Sequence, residues 1–379
     1  MDYLHSCINM PEAKLLLDII NKRQPLQFVK INYEKLIELA NFHNLTALIF
    51  YKLQEHAKEL PQNIYLSLKS CYLNNISINL KLWQEFLKIN EAFKENNIPL
   101  LPLKGIDILA RFYPSFDLRN MVDIDILIKK EHFAEIEKAL SSLGYQKNLL
   151  GLKEEYWRKH QCHIAFYKDY TVVEAHWGLD FKRGNRVILP RLWERAKEKQ
   201  AGNHKITILS PEDAIFSFAL HLRRFGNILS LKQAFDVAKT IKESPGFDWD
   251  YVLKECKTSK IKATLYFILM QVCLFTETNI PPEIFKKLNL PCWQKMLIKK
   301  LILQNTFQIP PSLKNNYLKA HFLLYDNLCE PILYLINIPY EQFCKFYTLK
   351  PYTLKSNLLY GLRLFYIPVS RFYCNWWAR

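Results

Sequence analysis

Glycine is scarce in this chain. It supplies 9 of 379 residues, well below the ~7% of average proteins. That disfavours collagen-like, Gly-rich and turn-dense all-β architectures. No Cys-x-x-Cys pair occurs among the nine cysteines, at 7, 71, 162, 256, 273, 292, 329, 344 and 374, and their number is odd. A secreted disulfide framework or a Cys-type zinc finger is therefore disfavoured. Reduced, mostly buried thiols are the plain reading. Long apolar runs are missing too. The longest, Ala263 to Phe275, has 13 residues and includes Gln271, short of the ~20 that cross a bilayer. The N-terminal MDYLHSCINMPEAK carries acids and no basic-then-apolar signal pattern. No nucleophile elbow, P-loop or dinucleotide fingerprint occurs. The expectation is a cytoplasmic protein with no transmembrane segment.

What is present is apolar and basic. Half the residues are hydrophobic, enough to bury a large core in two or three domains. Lys and Arg number 52 against 36 Asp and Glu, a formal charge of +16. Such a charge favours nucleic acid, nucleotide phosphates or an anionic membrane surface, without choosing among them. From 345 to the end there are six basic residues and no acid, interleaved with aromatics. That region could be a helical lid, a stacking nucleic-acid surface, a segment peripheral to a membrane, or a packed subdomain with a solvated basic face.

Hydrophobic spacing divides the chain into four regions. Residues 1–97 read as helical. Apolar positions 33, 36, 37, 39, 40, 45, 48 and 49 predict a helix over Tyr33–Tyr51, and Trp83, Phe86, Leu87, Ile89 and Phe93 predict one over Leu82–Asn97. Residues 98–205 read as an α/β island. It opens with IPLLPL as a buried or edge strand, then Lys104-Gly105 and a short helix, Ile106–Tyr113. Next comes the alternating VDIDILI (122–128), then a helix over Glu131–Leu143 stopped by Gly144. HIAFYK (163–168) and TVVEAHW (171–177) follow as a hairpin joined through Lys168-Asp169-Tyr170. Residues 206–305 are helical again. Ser210-Pro211-Glu212-Asp213 is a helix-start signature, and that helix should run to Gly226. Residues 306–379 form the basic, aromatic region.

The island holds the chemistry. Asp123 and Asp125 lie two apart on a strand, on one face, ~6–7 Å from each other. Carboxylates this close resist full ionisation unless a cation neutralises them. Mg²⁺ suits such a site, since it binds one or two carboxylates plus substrate phosphates. A bare Asp-x-Asp is otherwise a solvated edge. Here four aliphatics, Val122, Ile124, Ile126 and Ile128, occupy the opposite face, which reads as a central strand. Glu174 and His176 share a face of a later strand. Gly105 lets a backbone approach phosphate at a helix N-terminus, and Lys104 supplies a point charge. Asp107 reads as helix-end electrostatics, and Arg119 can reach phosphate or pair with an acid. His160, His163 and His176 are spaced like no zinc finger.

Taken together, LPLKG (101–105), Tyr113-Pro114, Arg119, DIDILI (123–128), SLGY (142–145), EAHW (174–177) and SPEDAIFSFALHL (210–222) resemble the uncharacterised nucleotidyltransferase family of bacteria. LIELANFHNLTALIF (36–50) fits as well. The resemblance implies an α+β fold: a polymerase β-type palm, with a small mixed sheet and helices, flanked by N-terminal and C-terminal helical regions. It implies transfer of a nucleoside monophosphate from an NTP to an acceptor hydroxyl on a protein, small molecule, sugar or RNA, with release of pyrophosphate. It also implies Mg²⁺, or Mn²⁺, at Asp123, Asp125 and Glu174, with Lys104, Gly105 and Arg119 on the phosphates. His176 would orient Glu174 or pack structurally beside Trp177. His221, with Arg223 and Arg224, would line the acceptor cleft or form a solvated helix surface. Two departures stand out. The wider superfamily usually has Gly-Ser or Gly-Gly where this chain has Lys104-Gly105, and the family commonly has Asp at the position of Glu174. Two other readings stay open: a non-catalytic nucleotide-binding or scaffold protein of the same fold, attached through its basic tail, and a basic RNA-binding protein.

Overall fold

The structure, a computed structural model, describes residues 8, 10–112, 119–181, 187–224, 230–308 and 320–367. It is α+β, with many helices around a small mixed sheet. Among the described residues four helices come first: α1 (Pro11–Asn21), α2 (Tyr33–Phe42), α3 (Thr46–Leu53) and α4 (Gln62–Glu95). The island follows as β1 (Leu100–Pro102), α5 (Lys104–Phe112), β2 (Ile124–Ile128), α6 (Phe133–Ser142), β3 (Gln146–Asn148), α7 (Glu154–His160), β4 (His163–Lys168) and β5 (Thr171–His176). Then come α8 (Leu189–Glu194) and the strands β6 (Lys197–Ala201) and β7 (His204–Ile208). The remaining helices among the described residues are α9 (Pro211–Arg224), α10 (Leu231–Lys242), α11 (Trp249–Thr258), α12 (Lys262–Phe275), α13 (Pro282–Leu288), α14 (Cys292–Asn305), α15 (Cys329–Ile336), α16 (Tyr340–Phe346) and α17 (Leu354–Gly361).

Several expectations meet their physical reason here. The helix expected over Tyr33–Tyr51 is two helices. Asn44 takes a left-handed backbone (φ 55°), and Leu45 N donates to Ala40 O at 2.8 Å, which closes α2 and lets the chain turn into α3. The Leu82–Asn97 helix is the end of the 34-residue α4. Gly144 (φ 87°) ends α6 as expected. The β4–β5 hairpin pairs Lys168 with Thr171 across Asp169-Tyr170. Ser210 caps α9: its Oγ accepts from Asp213 N at 3.2 Å and donates to Asp213 Oδ2 at 2.7 Å. The Tyr113-Pro114 pair, the expected stop at Gly226 and the side chain of Arg224 lie outside the described residues. No helix among the described residues is long and apolar enough to cross a membrane.

The main sheet has the order β1-β2-β5-β4-β3. β2 and β5 run parallel, and every other neighbouring pair is antiparallel. β2 is therefore interior, as its alternation suggested, and β1 is a buried edge. Val122 departs from that alternation. It precedes the strand and is 74% exposed. The period of two gives the sheet one apolar face. Ile124, Ile126 and Ile128, with Val173, Ala175, Ile164 and Phe166, pack on Phe86 and Phe93 of α4 and Phe133 of α6. Burying each such aromatic contributes about 1.5–3 kcal/mol. The opposite face carries the polar side chains. A second core joins α1–α3 and the start of α4 to α9–α14, and it reaches Leu101, Leu103 and Leu127 beside the sheet.

Candidate active site

Strand register brings the acids together. Asp125 lies directly opposite Glu174, and Glu174 opposite the small Ala165, so β4 does not crowd that carboxylate. His176 Nε2 sits 2.9 Å from Asp125 Oδ1 and 3.1 Å from Glu174 Oε2. Lys104 Nζ donates to the same Asp125 oxygen at 2.6 Å. Asp125 and His176 are buried, and Glu174 is about one-fifth exposed at its side chain (22%).

The charges follow from these contacts. Burial works to raise the Asp125 pKa, but the Lys104 ammonium and the His176 hydrogen bond hold it well below the usual carboxylate range. Burial likewise opposes a charge on His176. Its hydrogen bonds to Asp125, Cys162 and Glu174 prevail and lift it to about 10. Glu174, against its own burial, is drawn down to about 2 by His176 and by His163. Asp123, one residue before β2, has the opposite fate. Burial and the charges of Asp125 and Glu174 push it to about 6, only partly offset by Lys104 and Lys232. It makes no hydrogen bond or ion pair among the described residues. The negative charge is thus satisfied at Asp125 and in excess at Asp123. A cation placed by Asp123 would relieve that excess.

The phosphate-side residues are arranged differently from the expectation. Lys104 opens α5 in a left-handed conformation (φ 48°). Glycine takes that conformation freely and an L side chain does not. The Lys104 side chain turns to Asp125. Gly105 is closely covered: a Cβ there would lie 2.5 Å from Met121 Sδ and 2.6 Å from Arg119 Nη1, so both side chains would have to shift. Arg119 is held by a buried acid, donating from Nε to Asp236 Oδ2 at 2.9 Å, while its carbonyl accepts from Asn79 Nδ2 at 2.7 Å. Asp107 is the acid in the first turn of α5, as expected, and it does more than sit at a helix end. It is buried and ion-paired to Arg111 at 2.7 Å, and burial raises its pKa.

His221 lies on α9 with Nδ1 buried. Its neighbour Arg223 is not on a solvated surface. It is buried, ion-paired to Asp180, with its guanidinium 4.6 Å from the Tyr325 ring centroid.

Two residues escaped sequence reasoning. Lys232 and Asp236 come from α10, more than a hundred positions after Asp123. Lys232 donates to Asn120 O at 3.4 Å. Burial and Arg119 lower its pKa to about 8, against the pull of Asp236, Asp123 and Asp125. Only the Ser230 cap, which accepts from Lys232 N at 3.3 Å, leaves a local trace of this helix start. A cavity of about 270 Å³ adjoins Glu174 and His163. Trp157, Phe181, Gln161 and Lys345 line it as well.

One ligand atom each from Asp125, Glu174 and His176 lies within 4.8 Å of the others, an arrangement able to hold a metal ion. A sequence comparison gives the family. Residues 30–276 match the profile described as "uncharacterised nucleotidyltransferase". The chain belongs to that family. No curated protein matches it. Among solved structures it is similar to the solution structure of the antibiotic-resistance factor ANT(2'')-Ia, at 13% identity and a TM-score of 0.30, over 52% of this chain and 92% of that one. The crystal structure of ANT(2'')-Ia in complex with adenylyl-2''-tobramycin is similar at 13% identity and a TM-score of 0.27, over 51% and 95%. Likeness at that level carries no weight for the acceptor.

Proposed function

We propose that this chain transfers a nucleoside monophosphate from an NTP to an acceptor hydroxyl on a protein, small molecule, sugar or RNA, releasing pyrophosphate, with Mg²⁺ held by Asp123, Asp125 and Glu174. The observation that carries the reading is the excess negative charge at Asp123. Its carboxyl is raised to about 6 by burial and by Asp125 and Glu174, while Asp125 and Glu174 face each other across parallel strands. Oxygen donors of this kind fit a hard divalent cation. Bound there, Mg²⁺ would polarise the phosphoryl oxygens and neutralise the leaving pyrophosphate.

The chain's own residues do the rest. Glu174, at the wall of the cavity, is ionised at neutral pH, which suits it to complete the metal site. His176 holds Glu174 and Asp125 in one orientation. Arg119 and Lys232, on the Asp123 side, supply positive charge for the phosphates. The polymerase β-type palm, with Lys104 and Gly105 at its phosphate turn, belongs to the same proposal, as does the role of the cavity beside Glu174 as acceptor site.

A second reading, nucleotide binding without transfer, draws on one observation. Asp125 Oδ1 already accepts from both Lys104 and His176. One experiment separates the two. The protein is incubated with labelled NTPs and Mg²⁺ and assayed for both nucleotide binding and pyrophosphate release. Transfer predicts pyrophosphate, lowered at least ~100-fold in Asp125→Asn, since removing even an outer partner of a metal ligand costs 10–100-fold. Binding with no pyrophosphate from any NTP favours the second reading, and absence of both defeats the proposal.

A further inference from the structure

On the same face of the sheet as the carboxylates lies a group that nucleotidyl transfer does not use. Cys162 precedes β4, His163 opens it, and the register sets His163 directly opposite His176. The two imidazole rings lie 4.8 Å apart, inclined by 30°. Cys162 Sγ is 3.6 Å from His163 Nδ1 and is also hydrogen-bonded to His176. One ligand atom from each of the three lies within 4.8 Å of the other two. Cys162 and His176 are each 2% exposed. The Cys162 backbone is pinned by Trp177 N, which donates to its carbonyl at 2.8 Å.

The geometry is that of a soft-metal site. Tetrahedral zinc has Zn–S of about 2.3 Å and Zn–N of about 2.0–2.1 Å, so neighbouring sulfur and nitrogen ligands sit about 3.6 Å apart. The S···N separation here is that edge. Both histidines also turn their other nitrogen to a carboxylate. His176 Nε2 meets Asp125 and Glu174, and His163 Nε2 lies 3.7 Å from Glu174 Oε1. That leaves Nδ1 of His163, and the second ring nitrogen of His176, on the sulfur side. A carboxylate behind a ligating imidazole fixes its tautomer and raises its basicity. A cavity of about 180 Å³ is lined by Cys162, Gln161, Trp177 and Asp180.

We propose that Cys162 Sγ and the imidazole nitrogens of His163 and His176 bind a thiophilic divalent transition metal, zinc in the first place, at a site distinct from the Mg²⁺ site. Binding releases the thiol proton and the second proton of the His176 imidazolium, and leaves a fourth position for water. The two sites divide by ligand softness: sulfur and imidazole for zinc, carboxylate oxygens for magnesium. The sequence spacing of His160, His163 and His176 is no finger pattern. The register instead unites the last two with a cysteine. An ion there would also clamp His176 from behind and so fix the carboxylates it holds.

The test uses the full chain stripped of metal with a chelator and titrated with Co²⁺, a coloured stand-in for Zn²⁺. One equivalent is expected to bind with thiolate-to-cobalt charge-transfer absorption in the near ultraviolet, displaced by Zn²⁺. Cys162→Ser should abolish that band and weaken Zn²⁺ binding at least ~100-fold, the upper range for loss of a mere outer partner. His163→Gln should weaken it comparably. The exposed cysteines provide controls, since Cys292→Ser and Cys329→Ser should leave the band intact. Absence of the band in the wild-type protein overturns the proposal whatever the variants do. A band or a Zn²⁺ affinity that survives Cys162→Ser overturns it too. Mg²⁺ gives no thiolate band, so failure here is distinguishable from failure of nucleotidyl transfer.

Discussion

Replacing Lys104 by Met tests the charge balance on which the site depends. The substitution keeps the length of the stem and removes the ammonium 2.6 Å from Asp125, where the two side chains are 12% and 4% exposed. Breaking a buried ion pair from one side costs about 3–5 kcal/mol, because the remaining charge is stranded. Asp125 is not wholly stranded here. His176 still donates to the same oxygen at 2.9 Å, which argues for the low end, about 3 kcal/mol. Lys104→Gly separates the terms. It loses the same charge and relieves the left-handed backbone at φ 48°, a strain of about 1–2 kcal/mol for an L residue, so it should be the less damaging change. The assay is urea unfolding with and without Mg²⁺. In the wild-type protein the ammonium competes with a cation for Asp125. In Lys104→Met that competitor is gone, so Mg²⁺ should raise the unfolding midpoint more than in the wild type, by mass action on the folded state. A variant that unfolds at the wild-type midpoint, with an equal Mg²⁺ response in both proteins, would refute the reasoning.

Two further outcomes are expected. Gly105→Ala should destabilise by about 1–3 kcal/mol through overpacking, since its Cβ would collide with Met121 and Arg119; an unchanged urea midpoint would mean those side chains move aside freely. His43 should make stability depend on pH. It is buried, its Nδ1 accepts from Leu231 N at 3.3 Å, and burial lowers its pKa from 6.5 to about 3. The folded protein therefore refuses a proton that the unfolded chain accepts, so the contribution is complete above about pH 6.5 and is lost as pH falls towards 3, by roughly 1.4 kcal/mol per unit. Between pH 6.5 and 5 the unfolding free energy should fall by about 2 kcal/mol more in the wild type than in His43→Asn. Parallel pH profiles for the two proteins would contradict this.

Local periodicity and long-range register divide what can be read from the chain. The alternation of Ile124, Ile126 and Ile128 marks β2 as a strand with one apolar face; its interior place comes from pairing with β1 and β5 on either side. The same period puts Asp125 and Glu174 each on the polar face of its own strand. Nothing local sets them opposite each other, since that depends on a parallel register between segments 49 positions apart. Arg119 and Asp236 are harder still: the pair spans 117 positions, and α10 reads from its own residues as an ordinary amphipathic helix. Strand β6, Lys-Glu-Lys-Gln-Ala, escapes because its exposed face and exposed edge leave no apolar alternation to see. The Tyr33–Tyr51 helix misleads in the other direction. Its apolar spacing survives the break at Asn44 because both halves pack on one core.

The basic surplus takes on a location once the site is known. Around the carboxylates the charges are close to balance: Lys104 answers Asp125, Arg119 answers Asp236, and Lys232 lies among Arg119, Asp236 and Asp123. The surplus lies elsewhere, with 13 Lys and Arg against 4 Asp and Glu between 280 and 379. Within the described part of that region, Phe343 is fully buried among the rings of Tyr347, Tyr360 and Tyr366, so this stretch packs rather than trails. It meets the cavity beside Glu174 through Gln342 and Lys345 of α16. The basic region is thus physically continuous with the Glu174 side of the carboxylates, where its charge can act on whatever enters. Asp123 feels Lys232 on its other side, where the proposed cation and phosphates would sit.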